Sequence, residues 1–267
     1  MSARRSGLSP AVLAGAAIVG AALACGEVPT LPGGVAYISP VILPAPAVAF
    51  GDTLRDSTGV ATPIEVFGID NAGDTVRTIE PVFVVTTVPG KSVSITPERF
   101  VIGDSVRTAQ IVGQVGTRLQ TLPASLDVVN QPDSIAASSA TSARFPAGTA
   151  TEVTSTVTLG VSVTSPPIPP AARAGVKSII VRYLVTQIFP ESASIPDTTL
   201  VLIDDGGRFR LPTGRASTDT TDAAGTASRR IRAIPLGFDS VEISASATDL
   251  KGVPLKGSPI LFMATTK

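Results

Sequence analysis

Short runs of apolar residues, separated by turn residues, recur along the chain from residue 35 onward. Several alternate apolar and polar positions, as in Val241-Glu-Ile-Ser-Ala-Ser-Ala247, which is typical of an antiparallel strand with one buried face. The runs before residue 130 predict strands at 35–42, 45–50, 63–69, 81–88, 92–95, 105–115 and 125–129. Later runs predict strands at 135–140, 153–163, 176–188, 198–203, 225–233, 239–247 and 259–264. No run has a helical period, so we predict an all-β protein.

The density of these short strands favours β-sandwiches. Short strands with turn signals about every ten residues are the pattern of an immunoglobulin-like domain. The pattern pauses at Asn130-Gln-Pro-Asp133, where a proline directly follows a strand and cannot donate to a sheet ladder. We therefore predict two tandem immunoglobulin-like antiparallel β-sandwiches, one at residues 35–131 and the other at 132–267.

The first 24 residues have the pattern of a cleavable export signal. Arg4 and Arg5 precede an apolar run over residues 11–23, and small residues follow. Because that run is shorter than the roughly 20 residues of a spanning helix, a transmembrane anchor is the less favoured alternative. Residues 25–34 are rich in Pro and Gly, which predicts a flexible tether.

The end of this leader, Ala21-Ala-Leu-Ala-Cys25-Gly26, resembles the lipobox of bacterial lipoproteins. The resemblance implies that Cys25 carries acyl chains and becomes the new N-terminus, so that the membrane is the expected partner. Gly26 after the cysteine favours sorting to the outer membrane in this family. Ala22 stands where the family prefers Leu, and an ordinary secretory leader with an incidental cysteine is the alternative.

Composition narrows the function classes. The 267 residues include no His and one Cys, which leaves out histidine-based catalysis, internal disulfides and thiolate metal clusters. Equal numbers of basic and acidic residues, 21 each, do not fit a nucleic-acid binder. The chain has no Trp and only two Tyr, so it lacks the aromatic platforms of a sugar-cleaving cleft. We expect no enzymatic activity and no cofactor.

Three segments combine strand and turn patterns. They are residues 63–76, with the turn Asp70-Asn-Ala-Gly73, residues 216–227, with Asp222-Ala-Ala-Gly225, and residues 241–250. These segments resemble bacterial immunoglobulin-like (Big) domains, the repeats of invasin- and intimin-type adhesins and of many surface lipoproteins. The resemblance implies a non-catalytic envelope protein that serves as a structural spacer or as an adhesion or interaction module, with an unidentified protein or glycan partner. The alternatives are a calcium- or carbohydrate-binding surface lipoprotein and an accessory subunit of an envelope complex.

Acidic residues in the turns are the candidate metal ligands. In an Asp-x-x-Gly turn the aspartate bonds its own backbone and the glycine supplies a positive φ, and this role is the one we expect. The functional alternative is weak calcium binding, although no full set of calcium ligands is present. Its candidate ligands are Asp70, Asn71, Asp74, Asp219 and Asp222, with Asp204 and Asp205 in a further turn.

Two other features have a structural and a functional interpretation. Arg229, Arg230 and Arg232 form the densest basic cluster, which could meet an anionic surface, but strand alternation puts Arg230 and Arg232 on one solvated face. The Pro-rich stretch 165–172 could be a polyproline II recognition element. A rigid surface connection is the more frequent role of such a segment.

Overall fold

The computed structural model describes residues 34–86, 91–117, 119–145, 155–167, 172–190, 200–203, 215–233 and 237–266. All regular elements within these ranges are β-strands. The all-β prediction is therefore confirmed for the part of the chain that is described. In that part, no helix has the length and apolar character to cross a membrane.

Nineteen strands are present, and most of them are short. Those before residue 131 are β1 (Val35–Ile38), β2 (Ala47–Ala49), β3 (Gly68–Asp70), β4 (Thr75–Val76), β5 (Val82–Val85), β6 (Val93–Ile95), β7 (Val101–Gly103), β8 (Thr108–Val115), β9 (Leu119–Gln120) and β10 (Ala124–Val129). Those after it are β11 (Ser134–Ala137), β12 (Ser142–Arg144), β13 (Ser155–Thr164), β14 (Ile180–Phe189), β15 (Leu200–Ile203), β16 (Ala216–Thr220), β17 (Thr226–Ala233), β18 (Ser240–Ala247) and β19 (Ile260–Thr265).

The described backbone falls into two compact units. The smaller contains residues 34–39 and 67–80, and its sheet has the order β1-β3-β4. The larger contains residues 40–66 and the described part of 81–267. Within the larger unit we call residues 40–66 and 81–131 the N-terminal part, and residues 132–266 the C-terminal part. The predicted domain limits differ from these units and stay a prediction.

The C-terminal part is a sandwich of two sheets. One sheet has the order β11-β13-β17-β15 and the other the order β12-β19-β18-β14-β16, which is the distribution of strands expected for an immunoglobulin-like fold. Alternate residues of both sheets fill the core, as in β17, where every second residue is buried. The buried hydroxyl of Tyr183 on β14 donates a hydrogen bond to the carbonyl of Ala227 on β17. This bond joins the two sheets inside the core.

The N-terminal part contains one longer sheet and one two-stranded ribbon. The sheet has the order β2-β10-β8-β5, with β9 paired to β8, and the ribbon is β6-β7. Its first strand, β2, runs parallel to β10, just as β12 runs parallel to β19 in the C-terminal part. Buried residues on this part include Leu54, Ile64 and Leu126.

The sequence predicted the long alternating strands better than the short ones. Ile179, Val181, Tyr183 and Val185 share one face as expected, and the first three are buried. The strand predicted at 176–188 begins only at Ile180. The short strands β7, β9 and β12 were not predicted, because two or three residues are too few to display a period.

Candidate functional site

Four turns of the described chain share one sequence signature and one backbone geometry. They are Asp56-Ser-Thr-Gly59, Asp70-Asn-Ala-Gly73, Asp222-Ala-Ala-Gly225 and Asp249-Leu-Lys-Gly252. The glycine of each has a positive φ between 79° and 90°, a region that residues with a Cβ adopt at a cost. Sequence analysis singled out the second and third. It missed the first and fourth, although their Asp-x-x-Gly signature is the same.

The aspartate of each turn organises the backbone around it. In the Asp249 turn, Oδ1 accepts hydrogen bonds from the N–H groups of Lys251 and Val253, each at 2.8 Å. The Gly252 N–H donates to the Asp249 carbonyl at 3.1 Å, and the Asp249 N–H donates to the Val253 carbonyl at 2.7 Å. The other three turns repeat these bonds. The predicted role of Asp70 and Asp222 in bonding their own backbone is thereby confirmed.

Two of these turns interlock where the N-terminal part meets the C-terminal part. A Cβ added to Gly59 would lie 2.1 Å from the carbonyl oxygen of Lys251, and one added to Gly252 would lie 2.8 Å from the carbonyl oxygen of Thr58. Each glycine therefore lets the backbone of the other turn approach more closely than any side chain would permit. We call the contact between turns 56–59 and 249–252, together with the polar contacts around it, the junction.

The Asp127 carboxylate also connects the two parts. Asp127, on β10, accepts hydrogen bonds from Lys177 Nζ at 2.6 Å, from the Ser178 hydroxyl and from the Thr108 hydroxyl. Burial alone would raise the pKa of Asp127, but these three donors outweigh it and hold the pKa below its usual value. The Asp127 side chain is only 19% exposed. Removing its charge therefore leaves the Lys177 ammonium without a counterion in a half-buried place.

The backbone of Ser178 also departs from ordinary geometry at this point. Its φ is +62°, which is uncommon for a residue with a side chain. Its N–H donates to the carbonyl of Thr221 at 2.8 Å, while its hydroxyl donates to Asp127. The strained conformation is thus held from both the C-terminal part and the N-terminal part, which indicates a fixed rather than a sliding contact.

Further contacts extend the junction. Gln131 Nε2 donates to Asp249 Oδ2 at 3.1 Å, and Lys251 lies 3.5 Å from Asp52. Ala47 and Val129 of the N-terminal part belong to the same buried apolar cluster as the core of the C-terminal part. Apolar burial and charge pairing therefore act together at the junction.

A cavity of about 390 Å³ lies beside the junction. Both parts line it, with Arg55 and Ser57 on one side and Ile180 and Arg182 on the other. Its residues offer two guanidinium groups, the carboxylates of Asp56 and Asp249, hydroxyls and aliphatic surface, and no aromatic side chain is among them. Such a lining can hold a small polar group.

The other candidate sites fall in different places. Cys25 and the Asp204–Asp205 turn lie outside the described residues, as does part of the Pro-rich stretch 165–172, so the lipidation of Cys25 stays a prediction. Asn71 and Asp74 are exposed on the turn that Asp70 organises. Within the described ranges, no group of three or more acidic, His or Cys side chains could hold a metal ion.

Asp219 and Arg229 form a pair that sequence analysis did not predict. Arg229 faces the same side of β17 as Ala227 and Ile231 and is buried, whereas Arg230 and Arg232 share the opposite, half-exposed face. Its Nη1 lies 2.9 Å from Asp219 Oδ1 on β16, and its guanidinium also donates to the carbonyl of Thr218. Since β16 and β17 belong to different sheets, this pair closes one edge of the sandwich.

Comparisons with known proteins give remote similarities only. No family model matches the chain, and no curated protein is similar to it. Among solved structures, the Yersinia pseudotuberculosis adhesin InvE is 14% identical, with 89% of this chain and 61% of that chain covered and a TM-score of 0.34. Domains 4 and 5 of the S-layer protein SbsC are 11% identical, with 86% and 96% covered and a TM-score of 0.28.

The D00-D0 domain of intimin is a third similar structure. It is 12% identical, with 85% of this chain and 98% of that chain covered and a TM-score of 0.24. This chain thus spans less than two thirds of the adhesin InvE chain. Because all three TM-scores are low, function must be inferred from the residues of this protein.

Proposed function

We propose that this chain is a non-catalytic, lipid-anchored protein of the cell envelope, sorted to the outer membrane, whose sandwiches act as a rigid spacer or interaction module. The junction is the observation that carries the spacer role. Domains joined only by a flexible linker reorient freely. Here two interlocked turns, the Asp127 contacts and a shared apolar cluster oppose such motion.

A spacer of this kind needs an attachment point, and Cys25 supplies it in this proposal. The support is the leader pattern of residues 1–24 and the absence of any other cysteine in the chain. Each buried methylene of an acyl chain contributes about 0.8 kcal/mol to membrane binding, and stable anchoring takes more than one chain. Export through such a leader would place the sandwiches on the far side of the inner membrane.

The anchor is tested by Cys25→Ser. We expect the variant to lose metabolic labelling by an alkyne fatty acid and to leave the membrane fraction, because serine has no thiol to be acylated. Ser6→Ala, a change in the same leader that keeps Cys25, is the control and should label as the unaltered chain does. Membrane retention and labelling that survive Cys25→Ser would refute the anchor.

A further inference from the structure

The long sheets of the two parts have corresponding strands, except at one edge, where the C-terminal sheet has an additional strand. The orders are β2-β10-β8-β5 in the N-terminal part and β12-β19-β18-β14-β16 in the C-terminal part. In both, the first strand is parallel to the second, and the remaining neighbours are antiparallel. Therefore β5 takes the place of β14. The C-terminal sheet continues to β16, and the N-terminal sheet ends at β5 within the described residues.

Among the described residues the N-terminal part has no strand equivalent to β16, and the length of the connection between β6 and β7 explains why. In the C-terminal part β15 pairs with β17, and β16 comes from the stretch between them. The equivalent ribbon β6-β7 is joined by residues 96–100 alone, closed by a hydrogen bond from the Thr96 N–H to the Phe100 carbonyl at 2.9 Å. This tight turn therefore contributes no strand beside β5.

The edge strand β5 is short, with four residues, but it lacks the other features that protect a sheet edge. Natural edges are blunted by charges, prolines within the strand or bulges. The sequence Val82-Phe-Val-Val85 carries no charge, and its register with β8 is unbroken. Val82 is 64% exposed and Val84 is 37% exposed. Such an edge is a template for pairing with another strand.

The space beside β5 is open as well as apolar. A groove of about 530 Å³ lies between β5 and β6, and its lining includes Phe83, Val85, Val93, Ile95 and the exposed Lys91. The Thr86 N–H donates to the Gln110 carbonyl of β8. Since ladder bonds alternate along a strand, the backbone groups of Phe83 and Val85 point to the uncovered edge.

We propose that β5 is an interaction surface at which a second copy of this chain binds, so that two β5 strands pair antiparallel about a two-fold axis. This inference goes beyond the proposed spacer function. An axis normal to the sheet keeps each face of the strand on the same side, so Phe83 lies opposite Phe83 of the other copy and Val82 opposite its Val84. Apolar and aromatic cross-strand pairs of this kind are favourable.

The lack of charged residues on β5 favours a second copy of this chain as the partner that pairs with it. Isologous pairing brings identical segments together, so any charged residue on β5 would meet like charge or be buried. Residues 81–89 contain none. The partner strand takes the place that β16 takes beside β14, and Val82 and Val84 become covered.

The test is sedimentation velocity of the purified full chain in excess detergent, over a protein concentration range of about a hundredfold. We expect a reversible monomer–dimer equilibrium. Val82→Lys places a charge in two symmetry-related cross-strand pairs and should raise the dissociation constant about tenfold or more. Val82→Ile keeps the apolar pair and should leave the equilibrium within about twofold of the original.

Leu261→Lys is the matched control, because Leu261 is similarly exposed, 50%, and lies on β19 of the C-terminal part. It should dimerise as the unaltered chain does. The thermal midpoint of Val82→Lys checks that the monomer is folded. A chain that stays monomeric at every concentration, or a dimer that Val82→Lys and Leu261→Lys affect equally, would overturn the proposal.

Discussion

The turns Asp56–Gly59 and Asp70–Gly73 have the same signature and backbone but different surroundings. In both, the aspartate accepts two backbone N–H bonds and the glycine has a φ above 80°. A Cβ on Gly59 would overlap the carbonyl of Lys251, whereas a Cβ on Gly73 would meet nothing within 4 Å. One turn is a packing surface, and the other is only a chain reversal.

This difference shows that the Asp-x-x-Gly motif fixes the backbone of its own turn, whereas the rest of the fold decides whether that turn packs against another segment. Asp-x-x-Gly chemistry closes a hairpin wherever it occurs, since the bonds are made within five residues. Whether the glycine also admits a second backbone depends on the tertiary neighbours of the turn. The junction therefore cannot be recognised from either turn alone, and substitutions in the two turns should have unequal effects.

The largest effect is expected for Gly59→Ala. The left-handed backbone costs a residue with a Cβ about 1–2 kcal/mol, and the overlap with Lys251 adds an overpacking cost of about 1–3 kcal/mol. We predict a loss of about 3 kcal/mol or more in the free energy of unfolding, measured by urea denaturation. We also expect the two parts to unfold in separate transitions, because the variant pushes the interlocked turns apart. An unfolding curve that matches that of Gly73→Ala would contradict the role of the junction.

Features that depend on neighbouring residues could be predicted from the sequence, and contacts between distant residues could not. The strand Ser240–Ala247 and the turns at Asp70 and Asp222 were predicted because alternation and turn chemistry are local. The junction pair of Asp127 with Lys177 joins residues 50 positions apart. Nothing in the sequence around either residue specifies that contact.

The burial of Arg229 shows a different limit of prediction from the sequence. The alternation of β17 placed Arg229 on the face of Ala227 and Ile231, so its burial was implied by the same pattern that predicted the strand. Charge argued against that interpretation, because an unpaired buried guanidinium is costly. The pair with Asp219 removes the objection.

An intermediate effect is expected for Asp127→Asn, which breaks the junction without touching either turn. Replacing the carboxylate weakens the charge-assisted bonds from Lys177 and Ser178, so we predict a loss of about 2 kcal/mol in the free energy of unfolding. Asp104→Asn is the control, since Asp104 is exposed and accepts only a hydroxyl bond from Ser94 among the bonds described. An equal loss in both variants would show that Asp127 has no special role.

The pH dependence of the same residue gives an independent check. The pKa of Asp127 is lowered in the folded protein, so its contribution is fully present above the unfolded pKa of about 3.9 and is lost as pH falls through the folded pKa. We therefore expect the stability difference between the unaltered chain and Asp127→Asn to be constant from about pH 5 to 7. It should shrink below about pH 4, and a difference that grows on acidification would contradict this assignment.

The smallest effect is expected at Gly73, where the turn is open. Gly73→Ala keeps the aspartate bonds and meets no neighbour, so only the left-handed backbone is penalised, at about 1 kcal/mol. Gly73→Asn should cost less than Gly73→Ala, because asparagine adopts this conformation more readily. At Gly59 the order should reverse, since the larger Asn side chain adds to the overlap with Lys251. Urea denaturation of the four variants measures both orders, and the same order at the two glycines would mean that tertiary packing does not distinguish these turns.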